Sequence, residues 1–511
     1  LIGDAAHTAQ FSIGSGTKIA MEGAISLLKS IEEEGSISSA LTAYQEKREI
    51  EISRLQRSAM VSLQWYENAR RYNDLTPPQY AFNFLSRSKS VTYENLKLRD
   101  VRYGREVNSW YANLVRKEQG FDIPDDPAPP PMFTPYRLRD LVLQNRVVVS
   151  PMCQYSANDG TPTDWHLVHL GGFAVGGAGL VYTEMTNVSA AGRITPGCAG
   201  MYKPEHVKAW QRVTHFIHQN SAAKVCMQLA HAGRKGSTKY PWHGEDEPLE
   251  NGNWPLISAS PLPFKEFNQV PKEMTRDDMD DVLDSFVRAA HMAEEAEFDM
   301  IEIHMAHGYL LSSFISPVSN VRRDEYGGEL VNRLKFPVEI LKAVRSVWPN
   351  SKPISCRISA TDWLDSGGLT GEDAVEVAKL LYENGCDIID VSAGQTTPQA
   401  KPIYGRMFQT HLSEQVRLEA KGPTIAVGNI TSADQVNTIV AAGRADLVAL
   451  ARPHLTDPHF TLKAAAHYGY TPQFWPEQYL AGKMQAERLA QQDNTRLQEI
   501  LLANRPKSHN D

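Results

Sequence analysis

The chain has 511 residues, of which 42% are hydrophobic and 22% charged, and its formal net charge at pH 7 is −8. This composition is typical of a soluble globular protein of two to four domains. It argues against nucleic-acid and membrane-surface partners, which need clustered Lys and Arg, and no apolar run reaches the roughly 18–20 residues that cross a membrane. The five cysteines are scattered and have no C-x-x-C spacing, which disfavours disulfides and bound zinc and favours a reducing, cytoplasmic setting.

The first segment, residues 1–121, is predicted to be mostly helical. GTKIAMEGAISLLKSIEEEG is followed by SISSALTAYQEKREIEISRLQRSAMVSLQWYENARR, and both stretches have apolar residues near helical spacing. In the first stretch we expect one buried face, formed by Ile19, Ile25, Leu28 and Ile31. The next stretch, DIPDDPAPPPMFTP, is too rich in proline for a helix or a central strand, so residues 122–131 are predicted to be a linker between domains.

Residues 132–482 contain eight short apolar runs that alternate with helix-like stretches. The runs are RVVVS (146–150), LVYTEM (180–185), KVCMQL (224–229), DMIEIH (299–304), ISCRIS (354–359), DIIDVS (387–392), TIAVG (424–428) and DLVALA (446–451). Eight strands alternating with helices predict an α/β fold, a (β/α)8 TIM barrel. A doubly wound open sheet is the alternative, but the chain has no G-x-G-x-x-G motif. Residues 483–511 are predicted to form a polar helical tail.

The active site of such a barrel lies at the carboxyl ends of its strands, so polar and small residues at the ends of the eight runs are candidates. They are Ser150 to Tyr155, Glu184 to Thr186, Gln228, His304 with His307 and Tyr309, Arg357, Ser392 to Gly394, Gly428 with Asn429, and Ala451 with Arg452. This set predicts that the catalytic site lies at the carboxyl end of the barrel.

The stretch IEIHMAHGYLLSS carries two histidines three residues apart, followed by Tyr309. Zinc ligation is disfavoured, because no third ligand has metalloprotease spacing. Uncharged imidazoles of His304 and His307 could instead donate two hydrogen bonds to one substrate oxygen, and Tyr309 could deliver a proton. The alternative is that both histidines are satisfied within their loop.

Arg357 ends an otherwise apolar strand, where a guanidinium needs an anionic partner. An electron-rich cofactor ring, a substrate carboxylate or a barrel acid could supply it. Gln228 offers a donor and an acceptor to a heterocycle, and small residues at the last strand ends fit a phosphate site. His166 and His169 lie on an apolar helical face and are predicted to be core histidines.

The segment from about Met132 to Leu480 resembles the old yellow enzyme family of FMN-dependent ene reductases. The resemblance is carried by SPMCQY (150–155), QLAHAGRK (228–235), IEIHMAHGYLLSSFISPVSN, RRDEYGGELVNR (322–333) and GRADLVALARPHLTDP (443–458). It implies a barrel that binds FMN and uses NAD(P)H to reduce the activated C=C bond of an α,β-unsaturated carbonyl compound.

The resemblance also implies which residues do this. FMN would be bound by Ser150, Pro151, Met152, Cys153, Met185, Gln228, Arg357, Ser392, Gly394, Gly428, Ala451 and Arg452. His304 and His307 would hold the substrate carbonyl oxygen, Tyr309 would protonate the α-carbon, and Tyr155 would position the substrate. A nicotinamide would stack over the flavin to reduce it, so a Rossmann motif is not needed.

One departure concerns the oligomeric state. Members of this branch often have an arginine just after a Gln-Tyr pair, which reaches into a neighbouring subunit's site. Here Gln478-Tyr479 is followed by Leu480. The sequence therefore does not predict the usual dimer, and a homo-oligomer of this chain would assemble differently.

The beginning of the chain resembles a second family. GSGTK does not meet P-loop spacing, because Ile19 follows Lys18. Gly3-Asp4-Ala5-Ala6-His7-Thr8 with Gly14-x-Gly16 instead resembles the second flavin motif of FAD-dependent aromatic hydroxylases. Asp4 would bond a ribityl hydroxyl, and Gly3, Gly14 and Gly16 would face the dinucleotide. Phe11 and Lys18 replace a usual proline and asparagine, as in the subgroup that acts on aryl-coenzyme A thioesters.

The composite therefore resembles bifunctional salicylyl-CoA 5-hydroxylase/oxidoreductases and 2-aminobenzoyl-CoA monooxygenase/reductases, and an aryl-CoA derivative is the implied substrate. Most of the hydroxylase half would lie before residue 1, so we expect FMN in this chain and FAD only in the full-length protein. Two alternatives to an active reductase are a redox-inactive barrel that serves assembly or channelling, and a flavin-free barrel aldolase or isomerase. The second alternative would need a lysine at a strand end, and none of the predicted strands ends in one.

Overall fold

The computed structural model describes residues 2–503, except for the side chains of residues 4, 498 and 501–503. The chain divides into two compact units, Leu1–Val107 and Asn108–Asp511.

The first unit is helical. Short 3-10 turns at Gly3–Ala5 and Phe11–Ile13 precede its long helices, and a third lies at Ala69–Tyr72. The helices are α1 (Gly16–Glu33), α2 (Ile37–Glu67), α3 (Pro77–Leu85), α4 (Tyr93–Arg99) and the first turns of α5 (Val101–Gln119). Helices α1 and α2 pack against each other.

The expected buried face of α1 is wrong. Ile19 is buried, but Ile25, Leu28 and Ile31 are about half exposed, at 56%, 57% and 49%. The residues of α1 that are buried are Ile19, Gly23 and Ser30. At about 100° per residue, Gly23 and Ser30 lie within about 40° of Ile19, whereas Ile25, Leu28 and Ile31 are centred on the opposite side of the helix. The contact face is therefore formed by Ile19 with the small residues Gly23 and Ser30, and not by Ile25, Leu28 or Ile31.

Helix α5 continues beyond the division at Val107. Its second half contributes Tyr111, Ala112 and Val115 to a core that also contains Phe133 and Val147. The compact units thus divide earlier than residue 121, because an apolar face of this helix packs within the barrel unit. No helix or strand forms over residues 120–130, which include the proline-rich stretch.

Up to residue 503, the second unit contains thirteen strands. They are β1 (Tyr136–Leu138), β2 (Leu141–Leu143), β3 (Val147–Val149), β4 (Leu180–Tyr182), β5 (Thr186–Asn187), β6 (Lys224–Ala230), β7 (Ile257–Ser258), β8 (Lys272–Glu273), β9 (Met300–Met305), β10 (Ile354–Ser359), β11 (Ile388–Ser392), β12 (Thr424–Ala426) and β13 (Leu447–Leu450).

Eight of these strands close a parallel barrel in the order β3, β4, β6, β9, β10, β11, β12, β13, with β13 pairing back onto β3. All eight predicted runs form these strands. The prediction of a (β/α)8 barrel is confirmed, and the open-sheet alternative is wrong because the sheet has no free edge among these strands.

Helices surround the barrel. They are α6 (Asp164–Val175), α7 (Pro204–Asn220), α8 (Pro241–Gly244), α9 (Arg276–Glu295), α10 (Leu310–Ile315), α11 (Leu330–Arg333), α12 (Lys335–Val347), α13 (Gly371–Glu383), α14 (Thr410–Glu419), α15 (Ala433–Ala441), α16 (Arg452–Thr456), α17 (Phe460–Tyr468) and α18 (Leu480–Ala503). None of the helices among the described residues combines the length and apolar character that a membrane crossing needs.

The amino-terminal end of the barrel is filled by apolar side chains. The hairpin of β1 and β2 packs Leu138 and Leu143 together with Leu180, Met300 and Leu447, which begin their strands. Burial of such side chains is the main favourable contribution to folding. Because this end is packed with apolar groups, the polar strand ends are left at the opposite end of the barrel.

Candidate functional site

The predicted histidines and tyrosine meet at the carboxyl end of β9. The ring centroids of His304 and His307 are 5.1 Å apart, and the Tyr309 ring lies 5.1 Å from His304 and 6.5 Å from His307. His304 is the fifth residue of β9, and Tyr309 immediately precedes α10. The turn between them therefore brings three polar rings to one point.

Both imidazoles are uncharged at neutral pH. Burial lowers the pKa of His304 and of His307 well below 6.5, and the Arg357 guanidinium lowers both further. The backbone N–H of Ala306 donates to His304 Nδ1 at 3.2 Å, so the ring proton of His304 is on Nε2. His304 can therefore donate a hydrogen bond without carrying a charge.

His307 is held on two sides. Its backbone N–H donates to Ser359 Oγ at 2.9 Å, and its Nε2 lies 2.8 Å from Ser392 Oγ. The structure thus places Ser392, which the resemblance assigns to FMN binding, against a histidine. His307 also has a left-handed backbone, with φ of 63°.

Tyr309 lies in an apolar environment. It packs with Cys153 and Tyr155 against a cluster that includes Met185 and Cys198. Burial raises the pKa of the Tyr309 phenol well above 10, and Cys153 adds to this effect. A neutral phenol retains its proton and can donate it.

Arg357 has an acidic neighbour, which was one of the alternatives raised by the sequence. It pairs in register with His304 on β9 and with Asp390 on β11. Its Nε is 3.3 Å from Asp390 Oδ2, but Nε forms no hydrogen bond with the described residues, and neither does Asp390 Oδ1. A buried guanidinium nitrogen without a hydrogen bond has capacity to bind a further acceptor.

Gln228 contacts an acid that the sequence analysis did not single out. Its Nε2 donates to Glu302 Oε1 at 2.8 Å, and Ser355 Oγ donates to Glu302 Oε2 at 2.8 Å. Burial raises the pKa of the Glu302 carboxyl to about 8, and Asp390 adds to the shift. A single Glu in the apolar run DMIEIH was the signal for it.

Two glycines with a left-handed backbone lie just after the neighbouring strands β11 and β12. Gly394 has a φ of 73°, and a Cβ there would lie 2.8 Å from Trp363 Cδ1. Gly428 has a φ of 116°, and a Cβ there would lie 2.5 Å from Gln409 Oε1. Only glycine fits either position without strain. Ala451 and Arg452 follow at the start of α16.

The loop of Ser150 to Tyr155 is fixed by a buried pair of residues. Glu184 Oε2 accepts a hydrogen bond from the backbone N–H of Gln154 at 3.0 Å, and Glu184 Oε1 lies 2.9 Å from His166 Nε2. Since His166 Nδ1 accepts from the Thr163 backbone N–H, Nε2 carries the proton and donates to Glu184. His166 is confirmed as a satisfied core histidine, and this pair also supports the site loop.

The loop residues themselves are partly covered. Ser150 is buried, and its backbone N–H donates to the Leu450 carbonyl at 3.0 Å, while Pro151 and Met152 are half-buried. Burial and Glu184 raise the pKa of the Cys153 thiol, which stays protonated. Tyr155 has a left-handed backbone, with φ of 51°.

Lys235 was missed by the sequence analysis. Its side chain is buried, at 7% exposure, and forms no ion pair with the described residues. Nζ donates to the carbonyls of His307 and Gln395, at 3.1 and 3.2 Å, and lies 5.2 Å from the centre of the Tyr309 ring. Burial lowers its pKa from 10.5 to about 8. Lys235 lies in the 3-10 turn Gly233–Lys235 and not at a strand end, so the strand-end criterion could not find it.

The assembled residues fit flavin mononucleotide. The Arg357 nitrogen without a hydrogen bond suits an electron-rich ring, the Gln228 amide suits the edge of a pyrimidine, and the Gly394 and Gly428 backbones suit a phosphate. Within residues 2–503, no group of three His, Cys, Asp or Glu side chains is placed to bind a metal ion.

The residues of the second predicted flavin motif lie in the first unit. Gly3 begins the turn Gly3–Ala5 with a φ of 61°, Gly14 ends the turn Phe11–Ile13 with a φ of 64°, and Gly16 begins α1. The side chain of Asp4 lies outside the described residues, so its predicted contact with FAD stays a prediction.

Comparisons with known proteins extend over the barrel. The family described as NADH:flavin oxidoreductase / NADH oxidase matches residues 131–469. An NADPH dehydrogenase of Geobacillus sp. (strain WCH70) is 43% identical over 342 residues, which cover 66% of this chain and 95% of that protein.

Solved structures agree on the fold. Morphinone reductase in complex with tetrahydroNAD is 25% identical with a TM-score of 0.55, and the match covers 65% of this chain and 90% of that chain. A 2-naphthoyl-CoA reductase with 2-naphthoyl-CoA is 23% identical with a TM-score of 0.60, and covers 65% of this chain and 52% of that chain. At that identity the likeness shows the fold alone. Together with the site geometry, the family match and the Geobacillus relative show that this chain belongs to the NADH:flavin oxidoreductase / NADH oxidase family and is a flavin-dependent oxidoreductase.

Proposed function

We propose that the barrel binds FMN, accepts electrons from NADPH or NADH, and reduces the activated C=C bond of an α,β-unsaturated carbonyl compound. The observation that carries this proposal is the group of two uncharged imidazoles and a neutral phenol at the end of β9. A relative that is 43% identical is an NADPH dehydrogenase, which supports NADPH as one reductant.

Bound FMN supplies the hydride, and the side chains of the site prepare the substrate. The Nε2–H of His304 donates to the carbonyl oxygen, and His307 contributes a second hydrogen bond through its remaining ring nitrogen. These bonds draw electron density from the C=C bond and make the β-carbon electrophilic. Tyr309 delivers its proton to the α-carbon, so that one hydride and one proton are added across the double bond.

The cofactor side of the site is served by other residues. Gln228 would bond the pyrimidine edge of the flavin, and Arg357 would stabilise negative charge on the reduced ring. Gly394 and Gly428 would admit the phosphate beside α16. Cys153 and Met185 border Tyr309 through the shared apolar cluster, and would line the ring.

An anaerobic titration tests the proposal. Purified protein should contain FMN, NADPH or NADH should bleach its absorbance, and 2-cyclohexenone should restore it. A protein that contains FMN but that neither nucleotide bleaches would favour a redox-inactive barrel, and a colourless protein that does not bind added FMN would refute FMN binding. Tight binding of a phenolate, lost in His304→Ala, would independently support the oxygen-binding role of the histidine.

We further propose that the substrate is a hydroxylated aryl-CoA, formed by an FAD-dependent hydroxylase half of the same protein. The support is the resemblance of residues 3–18 to a hydroxylase motif. Hydroxylation of an electron-rich ring gives a product whose keto tautomer is an α,β-unsaturated carbonyl, the substrate type proposed for the barrel. The CoA thioester of such a tautomer should reoxidise the reduced protein faster than the free acid, and equal rates would refute the CoA requirement.

A further inference from the structure

Glu302 is the most deeply buried acid of the site, with no exposed surface. It pairs in register with Gln228 on β6 and with Ser355 on β10, so all three side chains lie in one layer of the barrel interior. Its two carboxyl oxygens accept hydrogen bonds of 2.8 Å from these two neighbours. The Ser355 hydroxyl is in turn 3.2 Å from the Tyr182 hydroxyl.

Burying a carboxyl group is costly, and replacement by an apolar residue would often be neutral for stability. Asp390 lies one layer further along, where it faces Arg357. The two acids thus have separate partners. Asp390 is next to the guanidinium, and Glu302 contacts the amide of Gln228.

This contact determines which end of the amide faces the acid. Glu302 Oε1 accepts from Gln228 Nε2 when the carboxyl is ionised, and also when it is protonated on Oε2. In both states the amide nitrogen is turned toward Glu302. The amide oxygen and the second N–H remain for another partner. Without Glu302, the amide could rotate by 180° and present the opposite pattern of donor and acceptor.

We propose that Glu302 is a positioning residue that fixes the Gln228 amide with its oxygen available to an N–H on the pyrimidine edge of FMN. This inference rests on the proposed binding of FMN. Glu302 does not itself contact the flavin in this scheme, and it acts only through Gln228.

The test is the dissociation constant of FMN, measured by flavin fluorescence on protein stripped of its flavin. Glu302→Leu removes the hydrogen bond and should weaken FMN binding about tenfold, the effect of one hydrogen bond to a polar partner. Glu302→Gln keeps a carbonyl oxygen toward Gln228 and a donor toward Ser355, so it should restore affinity to within about threefold of wild type.

Two further variants separate positioning from a structural effect. In a protein that already carries Gln228→Met, Glu302→Leu should raise the dissociation constant of FMN by less than about threefold, because the amide on which Glu302 acts is gone. Ser355→Ala removes the other hydrogen bond to the Glu302 carboxyl group and should leave the affinity for FMN within about threefold of wild type. It also keeps the inference testable if Glu302→Leu does not fold, since a loss as large as tenfold in Ser355→Ala would indicate a structural role.

The inference is overturned if Glu302→Leu leaves the affinity unchanged, if Glu302→Gln is as weak as Glu302→Leu, or if the Leu effect persists in the Met background. Each of these results would leave FMN binding by the wild type intact. Failure of the wild type to bind FMN would instead refute the proposed function and this inference together.

Discussion

Lys235 provides a test of the electrostatics of the site. The ammonium group is buried and forms no ion pair with any acid that the structure describes, and burial lowers its pKa from 10.5 to about 8. The folded protein therefore releases this proton near pH 8, whereas the unfolded chain releases it near pH 10.5. Between these values the unfolded state binds more protons, so the free energy of unfolding contributed by Lys235 rises with pH.

The expected size follows from the two pKa values. Each pH unit in which only the unfolded state holds the proton adds about 1.4 kcal/mol. Between pH 7 and pH 10 the wild type should therefore gain about 2–3 kcal/mol of stability relative to Lys235→Met. The variant also loses the hydrogen bonds to the His307 and Gln395 carbonyls, but that loss does not depend on pH.

The measurement is denaturant unfolding of both proteins at pH 7, 8, 9 and 10, followed by circular dichroism. Titration of all other groups is common to the two proteins and cancels in the difference of their unfolding free energies. A difference that stays constant within about 0.5 kcal/mol, or that changes in the opposite direction, would refute an uncompensated buried ammonium group.

Three other changes test separate parts of the site. Tyr309→Phe should slow reoxidation of the flavin by 2-cyclohexenone about 100-fold or more in stopped-flow experiments and leave its reduction by NADPH nearly unchanged. If both rates fall equally, the phenol is not the proton donor. Gly394→Ala should weaken FMN binding and destabilise the barrel by about 1–3 kcal/mol, because its new Cβ meets an indole ring. Gly367→Ala is the control, since Gly367 has a similar φ of 76° but open space around it, and this change should destabilise the barrel less. Arg357→Met should lower the free energy of unfolding by about 3 kcal/mol, because it leaves Asp390 unpaired. In thermal unfolding, the double variant with Asp390→Asn should recover most of that loss. If it recovers none, the two side chains do not compensate each other's charge.

Much of the barrel could be predicted from local patterns. Each of the eight runs contains a strand of the closed sheet, because a parallel strand that is buried on both faces requires a continuous apolar run. The polar residues His304, Arg357 and Gln228 then had to lie near the strand ends. The same reasoning placed the buried face of α1 incorrectly, because it relied on large apolar residues and overlooked the small residues Gly23 and Ser30.

The groups that surround the site were harder to predict. Glu302 and Lys235 were not among the candidates, and Glu184 was expected only as a strand-end residue, because nothing in the local sequence indicates which residues these side chains contact. Their contacts join residues that are 18 to 160 positions apart along the chain. Only the closed barrel brings such residues together.

The sequence by itself therefore determined the type and order of the elements and the end of the barrel at which the chemistry lies, because hydrophobic periodicity and strand-end polarity are local properties. The tertiary structure decided the charge states of His304, His307, Tyr309 and Lys235, the orientation of the Gln228 amide, and the close neighbours that restrict two strand-end positions to glycine. These properties depend on desolvation and on neighbours in space, and the energy of a buried group is fixed by those neighbours and not by its position in the chain.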